Sequence, residues 1–138
     1  MKTILLNLLA VAVGVILGSM ANMGIVMISD AIIPPPIGAD LITTEGLKAS
    51  MHLFKPINFL MPFLAHALGT LVGATLSGLI AASHRTRFSM AIGIFFLIGG
   101  ILSVYILPSP LWFSIADLTL AYLPMGYIGG RLALVLKK

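Results

Sequence analysis

Four polar side chains of this 138-residue chain lie deep inside long apolar runs, at positions that could bring them together. If each run is a helix rising 1.5 Å per residue, Asp117 lies about 10 Å and His66 about 14 Å below one membrane surface. Asn22 falls about 10 Å below the same surface, and Tyr122 is within reach of Asp117. A charged aspartate at the centre of a span costs about 2.5–3.5 kcal/mol, so Asp117 must be protonated, paired or facing water. We therefore expect Asp117 to interact with His66, with Asn22 and Tyr122 as supporting partners.

A carboxyl group and an imidazole in one buried layer could carry protons or bind a cation. Carboxyl groups removed from water hold their protons more tightly, and imidazoles titrate near neutral pH. The alternative is a structural role, because a hydrogen bond between membrane helices contributes about 0.6 kcal/mol on average and helps to set how the helices pack. The sequence leaves both roles open.

The elements that must position this layer are four apolar runs, at about residues 4–28, 57–82, 88–107 and 111–136. Each is close to or above the ~20 residues that a helix needs to cross a bilayer core of about 30 Å. Charged residues are 9% of the chain, whereas soluble domains average about 25%. The sequence therefore predicts an all-α fold, an integral membrane four-helix bundle in which residues 1–138 form a single four-span domain in a lipid bilayer.

The basic residues are unevenly divided between the two sides of the predicted bundle. If the runs alternate in direction, the side opposite the long 29–56 loop receives six of the eight: Lys2, Arg85, Arg87, Arg131, Lys137 and Lys138. The positive-inside rule then places both termini in the cytoplasm, with the protein multi-pass in a bacterial inner (plasma) membrane. The remaining two, Lys48 and Lys55, lie in the 29–56 loop. Because no basic face forms, we expect no nucleic-acid partner.

The loop of residues 29–56, predicted on the outer side, contains a short amphipathic pattern. Thr43, Thr44 and Glu45 offer caps for a helix, and Leu47, Met51 and Phe54 follow at helical spacing. We expect a short helix that lies on the outer membrane surface or over the mouth of the bundle. It is either a connector lying on lipid or a lid over a site.

Small residues recur at intervals of four in the predicted spans and indicate close helix packing. Gly69 and Gly73 share a helix face with His66 and Thr70. Gly126 and Gly130 lie four residues apart in span 4. Such pairs allow the close backbone approach that drives helix association in lipid. The number of copies is not determined, and a homo-oligomer stays open.

A proline lies near the middle of span 4, close to Asp117. Pro124 removes the hydrogen bond to the carbonyl of Leu120, so the sequence predicts a kink there that could shape a cavity beside Asp117.

A metal site is a weaker hypothesis. His52, Glu45 and Asp30 in or near the outer loop could converge with His66 and Asp117 on an outer-facing ion. No pair shows tight ligand spacing, and no catalytic series or nucleotide motif is present. The chain has no cysteine, which excludes disulfides and thiolate ligands. We expect no cofactor.

The stretches IIPPPIGAD, SMHLF, FLAHALGTLVGA and AYLPMGYIGGRLA resemble those of an uncharacterised group of small bacterial four-span inner-membrane proteins. The resemblance covers most of the chain. It implies four spans and a bacterial inner membrane, and it brings no activity.

Three functions are compatible with these features. The first is transport or permeation of protons, cations or small solutes through the layer of His66 and Asp117. The second is a non-catalytic membrane factor for assembly, stress or interaction, in which that layer only sets helix register. The third is a membrane enzyme with an outer-facing polar or metal pocket.

Overall fold

The computed structural model describes residues 1–137, which fold into helices without a β-strand. Six α-helices follow one another: α1 (Lys2–Ile32), α2 (Thr44–Ser50), α3 (Leu60–Ile80), α4 (Arg85–Ile106), α5 (Leu111–Leu120) and α6 (Leu123–Leu136). By length and composition, four segments can cross a membrane: Lys2–Ile32, Pro56–Ile80, Arg85–Ile106 and Leu111–Leu136. The predicted all-α fold with four helical segments long and apolar enough to cross a membrane is confirmed.

Helix α3 lies at the centre of the arrangement. It packs along α1, α4 and α6, whereas α1 packs mainly on α3 and has few contacts with α4. The short connections make α3 and α4, and α4 and the last span, antiparallel neighbours. Since His66 lies on α3, the central helix places it beside residues of α1, α4 and α5.

Glycines allow α1 and α3 to approach each other closely. A Cβ atom at Gly73 would lie 2.5 Å from the carbonyl oxygen of Gly14, and one at Gly69 would lie 2.8 Å from the Cβ of Asn22. Gly126 meets α4 in the same way, 3.2 Å from the Cα of Gly93. Gly130 also packs on α4, where an added Cβ would lie 3.2 Å from Ser89. The predicted packing role of these glycines matches the contacts.

Several helix ends differ from the predicted bounds. Helix α1 runs from Lys2 to Ile32 and not from 4 to 28, so the loop begins at residue 33 and not at 29. Its 31 residues are about 46 Å long at 1.5 Å per residue, longer than the hydrocarbon core. Helix α4 begins at Arg85, immediately after His84 in the left-handed region at φ 46°. The polar turn is therefore residues 81–84, because α3 ends at Ile80 and the left-handed His84 directly precedes the first residue of α4.

The fourth span is interrupted and not merely kinked. Helix α5 ends at Leu120 and α6 begins at Leu123. Pro124 has no N–H group for the carbonyl of Leu120, and Tyr122 leaves the helical path with φ −116° and ψ −73°. The ladder resumes where the Gly126 N–H donates to the Tyr122 carbonyl at 2.8 Å. The interruption lies next to Asp117.

The segment between α1 and α3, residues 33–59, covers one end of the bundle, which we call the loop side. Thr43 Oγ1 accepts a hydrogen bond from the Gly46 N–H at 2.9 Å and caps α2 as predicted. Asn58 Nδ2 donates to the Pro34 carbonyl at 3.3 Å and ties the two ends of the segment together. The helix is shorter than the pattern predicts: α2 ends at Ser50, Met51 opens a 3₁₀ turn, and Phe54 is extended. The apolar side chains of Leu47, Met51 and Phe54 nevertheless line one cavity against the spans, so the segment lies over the bundle.

Candidate functional site

The site is a buried carboxylate that two other polar side chains hold. Asp117 on α5 is 3% exposed. Its Oδ1 and Oδ2 lie 2.8 Å and 3.0 Å from Nδ1 of His66 on α3. The Tyr122 hydroxyl donates to Oδ2 at 2.9 Å. The contact between Asp117 and His66 that the sequence predicts is formed, and Tyr122 joins it.

The interruption of the fourth span explains how Tyr122 reaches Asp117. Residues five apart on a regular helix point about 140° away from each other, too far around for their side chains to meet. Because the chain departs from the helical path at Tyr122, the ring turns back beneath α5. It is 2% exposed, and its plane stacks on the imidazole of His66 with ring centroids 5.8 Å apart.

The roles in these hydrogen bonds depend on the protonation of the pair. When Asp117 is ionised it only accepts, so His66 donates through Nδ1–H and Tyr122 through its hydroxyl. In that arrangement Nε2 is the second ring nitrogen, and it has no hydrogen-bond partner among residues 1–137. His66 is 27% exposed, so this nitrogen is available to a ligand or a proton.

Two cavities of about 180 Å³ each meet at His66. The first, the loop-side cavity, lies beneath the 33–59 segment and is mainly apolar. Its lining includes Leu47, Met51, Phe54, Phe59, Pro62, His66, Phe113, Ser114 and Asp117. The segment therefore covers the carboxylate from the loop side.

The second, the mid-span cavity, lies between α1, α3, α4 and the interruption of the fourth span. Its lining is more polar: Asn22, His66, Gly69, Thr70, Phe96, Gly99, Gly100, Ser103 and Tyr122. Neither Asn22 Oδ1 nor Thr70 Oγ1 has a hydrogen-bond partner in the described part of the chain. Buried polar atoms are normally paired, so these two are exceptions, and both are buried too deeply to contact a guest in the cavity as it stands.

His66, Gly100 and Ser103 line both cavities. Gly100 also leaves room for the tyrosine: a Cβ there would lie 2.5 Å from the Tyr122 hydroxyl oxygen. The imidazole thus stands in a wall that the loop-side and mid-span cavities share, and Asp117 fixes its orientation.

The predicted role of Asn22 needs a correction. It lies in the same layer as His66 but forms no hydrogen bond with Asp117, His66 or Tyr122 in the described residues. The reason is its place on α1, which packs along α3 and has no extensive contact with α5. Asn22 faces the mid-span cavity and not the carboxylate.

The predicted metal ligands do not converge. Residues 1–137 contain no group of three or more His, Asp or Glu side chains placed to hold an ion. His52 uses Nδ1 on the Ala49 carbonyl at 2.7 Å, Glu45 lies in the first turn of α2, and Asp30 accepts from Ser29 near the end of α1. The three side chains do not come together, so the predicted ion site at His52, Glu45 and Asp30 is not formed.

The sequence places Thr70 on the helix face of His66, one turn later, but did not predict that it lines a cavity. The contributions of Phe96 and Gly100 were not predicted. Phe96 and Gly100 belong to α4, whose sequence contains few polar groups. Only the packing of α4 against the interruption identifies them.

Comparisons with protein families, curated proteins and solved structures found no match for this chain. The resemblance of its sequence stretches to a group of small four-span proteins stays a prediction.

Proposed function

We propose that this chain is a small membrane transport protein in which His66 and Asp117 pass protons, or exchange them for a small solute, between the mid-span and loop-side cavities. His66 takes the proton on Nε2, and Asp117 stabilises the resulting imidazolium. Tyr122 holds the carboxylate in place.

One observation carries the proposal. A histidine with a free ring nitrogen lies in the wall of two cavities, and a buried carboxylate holds its other nitrogen at 2.8 Å. Imidazole is suited to proton transfer near neutral pH, and ionisable residues inside membrane spans commonly mark ion or proton pathways. Helices interrupted at membrane depth are tolerated where they border such cavities.

The proposed setting is the inner membrane of a bacterium, with both termini in the cytoplasm. The support is the excess of Lys and Arg on the side opposite the 33–59 segment. In this orientation the loop-side cavity lies toward the outside of the cell. Two reporter proteins fused to the C-terminus test this orientation. We expect activity from the reporter that works only in the cytoplasm and none from the reporter that works only outside the cytoplasm.

Proton flux into liposomes tests the proposal. The purified full chain is reconstituted, a potassium diffusion potential is set with valinomycin, and a pH-sensitive dye inside the vesicles reports proton entry. We expect flux above empty liposomes, and a loss of more than about tenfold in Asp117→Asn, since proton transfer by a positioned group contributes about 10²–10⁴-fold.

Two variants serve as controls. Asp30→Asn removes a carboxylate near the end of α1, and His52→Gln removes an exposed imidazole on the loop side; both should retain wild-type flux. If Asp117→Asn and wild type carry equal flux, or if wild type carries none with or without candidate solutes, the proposal is wrong.

A second function has one specific observation in its favour. The hydrogen bonds of Asp117 connect α5 to α3, two helices that otherwise have few contacts. This second function is that of a non-catalytic assembly or interaction factor, in which the hydrogen bonds of Asp117 only stabilise the fold. Asp117→Asn would then lower the free energy of unfolding in detergent without changing any flux.

A further inference from the structure

The loop-side cavity has apolar walls and a polar floor. His66 and Asp117 form the floor, and each follows the first residue of its helix by six positions, about 9 Å along the axis. Apolar side chains of the 33–59 segment lie over the other end: Leu47, Met51 and Phe54. A molecule in this cavity would therefore meet apolar surface along most of its length and hydrogen-bonding groups at one end.

The segment that covers the cavity is held in place by hydrogen bonds. The buried Ser50 Oγ accepts from the Asp40 N–H at 2.8 Å. Farther along, Asn58 Nδ2 donates to the Pro34 carbonyl at 3.3 Å. Because these contacts fix the segment against itself and the spans, the cavity has a defined shape, as most ligand pockets of proteins do.

One wall of the cavity is aromatic. The ring centroid of Phe59 lies 5.9 Å from that of Phe54 and 4.8 Å from that of Phe113, and all three rings line the cavity. Aromatic rings attract one another at centroid separations of about 4.5–7 Å, so a further ring can extend this cluster. The volume of about 180 Å³ suits a single ring, since a cavity of about 150 Å³ in another protein binds benzene.

The cavity offers no partner to a charged guest. Among residues 1–137, no Lys or Arg lines it, so an anion would be unpaired. The carboxyl group of Asp117 is already held by His66 at 2.8 Å and by Tyr122 at 2.9 Å. Its side chain is only 5% exposed, so a cation would have little access to it. Since burying an unpaired charge is costly, the cavity favours an uncharged guest.

The floor favours a guest with a hydroxyl group. The side chain of His66 is 27% exposed, so its ring is open to the cavities where Asp117 is not. A hydroxyl group can both donate and accept a hydrogen bond. It can therefore bond to the imidazole whichever ring nitrogen carries a proton, and also when both do. This match does not depend on the protonation of His66 or Asp117.

We propose that the loop-side cavity binds a small uncharged phenol, with the ring against Phe59 and Phe113 and the hydroxyl group at His66. A phenol is neutral at neutral pH because a phenolic hydroxyl titrates at about pH 10. This binding site goes beyond the proposed transport function and does not depend on it.

Fluorine NMR of para-fluorophenol tests the site on the purified full chain in lipid nanodiscs. Partition into lipid rises linearly with concentration and is measured with empty nanodiscs, whereas binding to the protein saturates. We expect saturable binding that phenol displaces. Absence of a saturable component would overturn the proposal.

Three matched probes test the chemistry of the guest. Fluorobenzene lacks the hydroxyl group and should bind about three- to tenfold more weakly, the effect of one hydrogen bond. Cyclohexanol lacks the aromatic ring and should displace para-fluorophenol about threefold less well than phenol does, or worse. Para-fluorobenzoate carries a charge and should show no saturable binding. Fluorobenzene or cyclohexanol as effective as the phenol, or saturable binding of para-fluorobenzoate, would overturn the assignment of the ligand class.

Variants of the cavity wall locate the site. Val104 lines the cavity, and Val104→Phe should weaken binding of para-fluorophenol about tenfold or more, because the larger side chain takes the space of the guest. Leu102→Phe adds a ring on the same helix at a position that is 56% exposed and does not line the cavity, and it should bind as wild type does. Equal affinity in Val104→Phe and wild type would refute the location.

His66→Leu tests the partner of the hydroxyl group. In this variant para-fluorophenol should bind no more tightly than fluorobenzene, and a preserved preference for the phenol would refute the role of His66. Val104→Phe leaves the pair of His66 and Asp117 intact, so it tests the site even if His66→Leu does not fold. Proton flux without saturable phenol binding would overturn this inference and leave the proposed function standing, whereas phenol binding without any flux would do the reverse.

Discussion

Gly100→Ala is the sharpest test of how the site is built, because Gly100 makes room for the tyrosine that holds Asp117. An added methyl group would lie 2.5 Å from the hydroxyl oxygen and 2.6 Å from Cζ of Tyr122. The ring is buried against His66 and has little space to yield. Either α4 moves away from the interruption, or the ring turns and its hydroxyl leaves Asp117.

The magnitude follows from three contributions. Overpacking costs about 1–3 kcal/mol, and losing a hydrogen bond to a charged group costs about 1.5–3 kcal/mol. Alanine is favoured over glycine in a helix by about 1 kcal/mol. Because either the overpacking or the lost hydrogen bond applies, and the helix preference of alanine offsets about 1 kcal/mol, we expect Gly100→Ala to lower the free energy of unfolding by up to about 2 kcal/mol.

The neighbouring glycine supplies the control. Gly99 lies on the same helix, and a Cβ there meets nothing within 4 Å. Gly99→Ala should be neutral or stabilising by up to about 1 kcal/mol. Both variants would be measured by reversible unfolding in mixed micelles, followed by circular dichroism.

A double-mutant cycle assigns the cost to the tyrosine. In a Tyr122→Phe background the hydroxyl is already absent, so Gly100→Ala should cost less, with a coupling of about 0.5–3 kcal/mol. Equal unfolding free energies for Gly100→Ala and Gly99→Ala, or a cycle without coupling, would refute the geometry described for this site.

Three further predictions concern the parts of the fold that support the site. Gly73→Ala should lower the free energy of unfolding by about 1–3 kcal/mol, because the added methyl group meets the backbone of α1. Gly24→Ala should not lower it, because a Cβ there meets nothing within 4 Å. Equal stabilities of the two variants in mixed micelles would contradict the described packing. Thr43→Val removes the cap of α2 and should destabilise that helix by about 1 kcal/mol. The loss should appear as faster proteolysis within residues 33–59, and an unchanged cleavage rate would argue against the cap. Ser114→Cys places a thiol in the wall of the loop-side cavity, and it should react slowly with a membrane-impermeant thiol reagent. The reaction should be clearly faster when Phe54→Ala is added. Equal rates would mean that the 33–59 segment does not cover the cavity.

Much of the architecture was available from local features of the chain. Apolar runs long enough to cross a bilayer predict spans whatever their neighbours are, and Thr43 predicts the cap of α2 because capping involves only the next three residues. The equal depth of Asp117 and His66 follows from the constant rise of a helix. Their contact was therefore predictable once the two spans were taken to be neighbours.

The details of the site depend on contacts between distant parts of the chain. A regular helix would turn Tyr122 away from Asp117, and only the interruption at residues 121–122 lets it turn back. Pro124 marked a disturbance, but a missing N–H group does not specify where the freed chain goes. The same holds for Asn22, whose neighbours depend on which helix α1 packs along.

Composition and spacing by themselves determined that this protein is a set of four membrane-length helices with an acid and a histidine at one level, because hydropathy and helical rise are local properties. Only the tertiary structure decided that α3 is the central helix, that Asn22 and Thr70 face a cavity without partners, and that His52, Glu45 and Asp30 stay apart. Those features depend on how closely glycine-bearing helix faces approach one another, and that distance is set by both surfaces together.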